Sequence, residues 1–219
     1  MVKPYSQVPI ADVGEALVPI PDHIPKILPH AYQSLGAPYG DRSPFWLRVG
    51  VLARLELARQ HLRSHQVSLG IYDAYRPLAV QQFMVDYTYQ QLAQAQDLPP
   101  AQIWQQVYEF WALPSQDLAS PPPHSTGAAV DLTLVDLTGT ALDLGAPIDE
   151  ISARSHPQFF REHPDQDPGG EYAHRRAILK QAMTIAGFCQ HPNEWWHFSW
   201  GDQMWAWLTG AEQAIYGRI

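Results

Sequence analysis

Cysteine is almost missing from this chain. Cys189 stands alone among 219 residues, so no intrachain disulfide and no CxxC metal site can form. A lone thiol makes a reduced, cytoplasmic setting the default expectation. Charge is sparse as well, at 16% of residues, and the basic share is the smaller: 14 Lys and Arg against 22 Asp and Glu give a formal net charge of −8. That deficit argues against nucleic acid as a partner, because phosphate binding needs a basic face, and equally against an anionic membrane surface. No apolar run approaches the roughly 18 residues of a membrane span. The opening stretch MVKPYSQVPIADVGEALVPIP lacks the basic start and unbroken apolar run of a signal peptide.

What is present suits a globular protein. Hydrophobic residues make up 46% of the chain, enough for one domain over residues 1–219 with a substantial core. With 10 histidines and one cysteine, any metal site has to be built from imidazole and carboxylate.

Residues 1–42 carry Pro4, Pro9, Pro19, Pro21, Pro25, Pro29 and Pro38, which block helix interiors, so this stretch is expected to wrap the domain as extended segments and turns. Ser43-Pro44 has the form of a helix cap followed by proline at the first helical position, predicting a helix over 44–64. The alternation of Val67, Leu69 and Ile71 predicts a short strand. Leu78 to about Gln94 is helical in composition, and Asp97-Leu98-Pro99-Pro100 opens another helix carrying Ile103, Trp104, Val107, Phe110 and Trp111. Val130, Leu132 and Leu134 alternate with polar residues as a strand does, and Asp136-Leu137-Thr138-Gly139 predicts a hairpin into 140–144. Residues 161–170 read as a loop, 171 to Gly187 as a helix, Trp195–Trp200 as a strand and 204–208 as a final helix. The expected class is α+β, a small, mainly antiparallel sheet with helices packed on it.

Four places can carry chemistry. In His124-Ser125-Thr126-Gly127-Ala128-Ala129-Val130-Asp131, a turn histidine and a carboxylate entering a strand sit near one edge, with small residues between them. An imidazole nitrogen and a carboxylate oxygen suit Zn²⁺, and a surface histidine with a strand-end aspartate would look the same. In Glu194-Trp195-Trp196-His197, the acid and the imidazole converge only across a turn of helix or a bend, since a straight strand sends them to opposite faces. An aromatic core strand with polar ends is equally compatible. Arg76, in Asp73-Ala74-Tyr75-Arg76-Pro77, lies where a strand gives way to a helix and can donate into a cleft, or can simply form a surface ion pair. Asp149 follows Gly145-Ala146-Pro147-Ile148 in a loop, where carboxylates are commonly just solvated.

Taken together, these motifs resemble one known family. His-x-x-Gly-x-Ala-x-Asp, followed about 60 residues later by Glu-x-x-His, looks like the signature of the M15 zinc peptidases. The double tryptophan, the Asp73–Pro77 block and Asp149 are similar to the D-Ala-D-Ala dipeptidase branch. The likeness covers roughly residues 43 to 200. It implies the fold shared by D,D-peptidases and hedgehog domains, with one zinc ion per chain held by His124, Asp131 and His197 and a fourth position left to water. It further implies Glu194 as general base and then acid, Arg76 as oxyanion stabiliser, and Asp149 as the partner of a free amino group. The substrate implied is a small dipeptide. The rivals left open are a D,D-carboxypeptidase acting on peptidoglycan stems and a zinc-binding module without catalysis. Two features depart from the pattern. Pro122 stands where the family has a hydroxyl residue, two positions before the first histidine. The variable segment 93–122 is longer and rich in aromatics, as expected of a lid, a narrowing of the cleft, a homo-oligomer contact or plain packing.

Overall fold

The computed structural model describes residues 3–219. In chain order come β1 (Leu17–Pro19), α1 (Ala31–Ser34), β2 (Trp46–Arg48), α2 (Val49–Leu62), β3 (Ser68–Asp73), α3 (Leu78–Ala95) and α4 (Pro100–Phe110). Next are β4 (Ala129–Val135), α5 (Phe159–Glu162), α6 (Glu171–Ile185), β5 (Cys189–Gln190), β6 (His197–Ser199) and α7 (Gln203–Thr209). The main sheet is antiparallel with strand order β3-β4-β6-β5, and β1 pairs with β2 in a separate ribbon. The α+β class read from the sequence is the class of the fold.

Period-two alternation on β4 decides where the core lies. Val130, Leu132 and Leu134 point to one face, where Leu69 and Ile71 of β3 and Phe198 of β6 join them. On α2, Val51, Leu55, Ala58 and Leu62 recur at helical spacing and form the stripe that covers this face, together with Leu179, Ala182 and Met183 of α6. The opposite face of β4 carries Asp131 and Thr133, which are also buried. A second apolar cluster joins α3 (Val80, Met84, Val85) to α4 (Ile103, Val107) and to Tyr32, Tyr39 and Trp111. The aromatic-rich 93–122 segment therefore spends its apolar spacing mainly on packing against α3. No helix among the described residues is long and apolar enough to cross a membrane.

Several expected boundaries shift. The helix predicted from 44 begins only at Val49, because Trp46–Arg48 pairs in extended form with Leu17–Pro19. Ser43 caps no helix; its Oγ accepts from the Phe45 N–H in a local turn. Extended backbone at Arg48 lets its guanidinium donate to the carbonyls of Thr126, Glu15 and Gly217 while pairing with Asp12. The predicted return strand over 140–144 is reduced to a bridge between Val135 and Ala141 and one bond from Leu142 N to the Leu134 carbonyl. Asp136 gathers the N–H groups of Thr138 and Thr140 into a tight turn that does not extend the ladder. The wrap over 1–42, whose residues 1 and 2 lie outside the described residues, contains a 3₁₀ turn at Pro4–Gln7 and the short α1 as well as extended chain. The 161–170 stretch starts inside α5 and continues as 3₁₀ turns. The strand expected over 195–200 narrows to His197–Ser199.

Arg48 ties the N-terminal wrap, the turn before β4 and the C-terminal segment to one buried guanidinium. Arg48→Met is expected to lower unfolding stability by about 2–3 kcal/mol, because three carbonyls lose a charge-assisted donor. Urea denaturation followed by circular dichroism checks this.

Candidate active site

Strand register brings the first two donors together. In the β4–β6 ladder Asp131 lies directly opposite His197, both on the face away from the core. The third donor arrives from a 3₁₀ turn, Pro123–Thr126, which Ser125 and Thr126 brace by hydroxyl bonds to the Pro122 and Pro123 carbonyls. Gly127 ends that turn at φ +71°, a left-handed conformation that favours glycine, and a Cβ there would also press on the end of the Leu17 side chain at 2.5 Å. The result is a buried cluster. His124 Nε2 lies 3.1 Å from His197 Nδ1 and 3.2 Å from Asp131 Oδ2, and His197 Nδ1 lies 3.0 Å from Asp131 Oδ1.

Outer hydrogen bonds settle which nitrogens carry protons. His124 Nδ1 lies 2.7 Å from the Ala74 carbonyl, which can only accept, so the proton sits there and Nε2 presents a lone pair. His197 Nε2 faces Ser199 Oγ at 3.4 Å, and that hydroxyl donates to Asp202 Oδ2 at 2.7 Å. The serine oxygen therefore accepts from Nε2–H, leaving a lone pair on Nδ1. Burial holds the His197 ring below its usual pKa, in the neutral form. Three lone-pair donors thus converge in a dry site, and Asp131 Oδ1 has no hydrogen-bond donor among the described residues.

Such an arrangement is repulsive unless a cation sits among the donors. The separations of 3.0–3.2 Å fall just short of the roughly 3.3 Å or more that separates ligands about 2.0–2.2 Å from a tetrahedral ion, so the cluster is a slightly contracted form of such a site. His124, Asp131 and His197 are the residues that can hold a metal ion here.

Around this cluster lies a cleft that is also lined by Lys3, Tyr5, Gln81, Trp111 and His191. Glu194 reaches it from a bend whose backbone is held by a bond from Trp195 N to the Ser155 carbonyl. Its Oε2 lies 3.8 Å from His197 Nδ1 and its Oε1 3.6 Å from His191 Nδ1. Burial, with repulsion from Asp131 and Asp149, raises the Glu194 carboxyl well above its usual range. Of the two adjacent tryptophans, Trp196 lines the cleft, whereas Trp195 turns into the core beside Arg176. Asp149 adopts φ +62°, an uncommon conformation for a residue with a side chain, and accepts from the Tyr32 hydroxyl at 2.8 Å. Burial beside Asp131 pushes its carboxyl up to about 6.

Arg76 is caged. Its Nε donates to Asp73, Nη1 to Gln81, and Nη2 lies near Asp73, Asp131 and Tyr32, with the rings of Tyr32 and Trp111 about 5 Å from the guanidinium. Asp73 reaches this position through a β-bulge. Leu69 and Ile71 pair with the core-facing Leu134 and Leu132, but the register shift after Ile71 sets Asp73 opposite Asp131. That shift turns the Asp73 side chain from the core face to the site face. His30 and the Tyr39 hydroxyl bind its other oxygen. Burial opposes the charge on Asp73, yet Arg76 and His30 hold its carboxyl below the usual range.

All six residues predicted from the sequence thus border one cleft. Sequence reading missed Asp73, His30, Tyr32, Gln81, His191, Lys3 and the Ser199–Asp202 pair. Asp73 had a visible signal, an Asp-x-x-Arg spacing, and His191 stands three residues before Glu194. The others have none that is local.

Fold and cleft together have the form of a hydrolytic centre, and comparison with known proteins supplies the class: a peptidase. Residues 26–214 match the M15 peptidase family described as D-Ala-D-Ala dipeptidase. By that match, and by a full-length relative, the chain belongs to the M15 D-Ala-D-Ala dipeptidase family. That relative, a D-alanyl-D-alanine dipeptidase of Synechocystis sp., is 45% identical over 240 residues, covering 100% of this chain and 97% of its own. The D-alanyl-D-alanine dipeptidase of Escherichia coli is 37% identical over 136 residues, covering 60% of this chain and 54% of its own. The solved structure of the LD-carboxypeptidase LdcB superimposes with a TM-score of 0.50 at 14% identity, covering 93% of this chain and 76% of its own, a likeness of fold alone.

Asp73→Ala would leave the Arg76 guanidinium buried with one of its two carboxylates gone. A loss of about 3 kcal/mol in unfolding stability is expected, measured by denaturant titration against the parent protein.

Proposed function

We propose that this protein hydrolyses the dipeptide D-Ala-D-Ala at a single zinc ion held by His124, Asp131 and His197. The observation that carries the reading is the convergence of three unprotonated donors at 3.0–3.2 Å with the Glu194 carboxylate beside them. Three protein donors with one position open is the arrangement of catalytic rather than structural zinc. When bound, the ion supplies Lewis acidity toward a water molecule and the peptide carbonyl.

The chain's own groups do the rest. Glu194 takes the proton of the attacking water as the new C–O bond forms, and delivers it to the leaving nitrogen as the C–N bond breaks, giving two molecules of D-alanine. Its carboxyl oxygen, 3.8 Å from His197 Nδ1 at the edge of the donor cluster, stands where a water proton can be accepted and returned. Arg76, immobilised by Asp73 and Gln81, offers a fixed donor to the oxygen that gains charge. Asp149 pairs with the free ammonium of the dipeptide, and Tyr32 holds its carboxylate in place. The strained backbone at Asp149 suits a side chain aimed for binding. Trp196 helps exclude bulk water.

A hydrolysis assay on D-Ala-D-Ala tests the reading. Activity is expected to vanish with a chelator and return with zinc; turnover that survives full metal removal would overturn it. Glu194→Ala is expected to keep its metal, measured by elemental analysis, and to lose nearly all turnover. Arg76→Ala should lower kcat on the order of one hundredfold.

The Asp149 pKa also sets a pH dependence. Below about 6 its carboxyl protonates and loses the charge that faces the ammonium, so dipeptide affinity should weaken as the pH falls through that value. Asp149→Asn should flatten the profile, and an N-acetylated dipeptide should be a poor substrate at every pH.

A further inference from the structure

A free dipeptide carries a carboxylate as well as an ammonium, and a cleft that buries it must answer both charges. Asp149 answers the ammonium. Among the described residues lining the cleft, the fixed positive charges are Arg76 and Lys3.

Arg76 is already spent. Its charge is offset by Asp73 and Asp131, and its Nε, Nη1 and Nη2 all have partners. One Nη1 hydrogen is left over, enough for a single oxygen but not for the two-pronged grip that an arginine gives a carboxylate.

Lys3 stands differently. It precedes the 3₁₀ turn Pro4–Gln7, which lies against α7, and its Nζ donates to the Glu109 carbonyl near the end of α4 at 3.1 Å. No carboxylate lies within ion-pair distance of it among the described residues, so two of its three N–H groups remain to be used. Its placement is held from both sides. Gln203 of α7 donates to the carbonyls of Val8, at 2.6 Å, and Ala119, at 2.9 Å, joining the N-terminal turn to the loop that leads to His124. Tyr5, from the same turn, is buried and lines the same cleft. Burial draws the Lys3 ammonium below its usual pKa while Glu194 and Glu109 draw it up, so the lysine lies within reach of the Glu194 field.

We propose that Lys3 receives the α-carboxylate of the dipeptide, which makes the turn over residues 3–7 a wall of the substrate site and not merely an outer wrap. The inference rests on the dipeptide reading of the cleft. It assigns the two ends of the substrate to separate elements, the ammonium to the Asp149 loop beside Tyr32 and the carboxylate to the N-terminal turn beside Glu109. A ligand without a terminal carboxylate forfeits the second anchor.

The test compares two ligands, D-Ala-D-Ala and D-Ala-D-alaninamide, whose terminal carboxylate is replaced by a neutral amide. Binding is measured by calorimetry on the zinc-loaded Glu194→Gln protein, in which hydrolysis is suppressed, with and without Lys3→Met or Lys3→Arg. Lys3→Met is expected to weaken the dipeptide on the order of 10- to 100-fold and to leave the amide unchanged, with Lys3→Arg recovering most of the loss. Equal weakening of both ligands would assign Lys3 a purely structural role and overturn the proposal, as would an acid-over-amide preference that survives Lys3→Met. If the protein retaining Lys3 binds neither ligand, the dipeptide reading itself fails and this inference falls with it.

Discussion

Four carboxylates, those of Asp73, Asp131, Asp149 and Glu194, line or adjoin one largely dry cleft, and the rest of the structure is arranged around keeping them there. Left to themselves they would protonate or swing apart, since burying a charge without a partner is costly. Arg76 offsets Asp73 and Asp131 directly. The remaining negative charge, together with three lone pairs aimed at one point, makes the cluster one that could hold a cation. The sheet makes the crowding tolerable because antiparallel register fixes Asp131 opposite His197 through backbone bonds that side-chain repulsion cannot easily break.

The outer partners matter as much as the donors. His124 is oriented by a backbone carbonyl, and His197 by a serine whose hydroxyl leans on Asp202. Asp202 also caps α7 through the Trp205 N–H, so the orientation of one imidazole is tied to the start of a helix. A donor set held this way is preorganised: its tautomers and ring planes are chosen before any ligand arrives. The same economy appears at Arg76, whose guanidinium is bound in plane by Asp73 and Gln81 and faced by two aromatic rings.

Much of the cleft wall comes from segments outside the main sheet. The α3–α4 pair sends Gln81, Phe110 and Trp111 to its rim, while its remaining aromatics pack on one another, as Tyr89, Trp104 and Tyr108 do in a stack. Gln203 clasps the N-terminal turn to the loop before His124, and Arg48 joins the wrap to the C-terminal segment. These single polar side chains do what a longer apolar interface would otherwise have to do, which is why strands and helices of such modest length can hold a cleft of this kind.

Local pattern carried a large part of this. The alternation through β4, the stripe on α2, the proline that opens α4 and the glycine after α6 are all written within a few residues of where they act. So are the identities of His124, Asp131, Glu194 and His197, because donor chemistry belongs to the side chain itself. What the residues alone left open depends on partners far along the chain. Trp46–Arg48 follows a helix-like cap yet is drawn into a strand by Leu17–Pro19. Asp73 would face the core but for a bulge defined only by its pairing with Asp131. Lys3 meets the cleft, and His30 and Asp202 reach the side chains that brace it, across distances of chain that no period spans. Residue type determined which groups were able to bind a cation and move a proton. Only the closing of the sheet and the wrapping of the N-terminal segment decided which of them share one desolvated space, because burial and register are properties of the assembled chain.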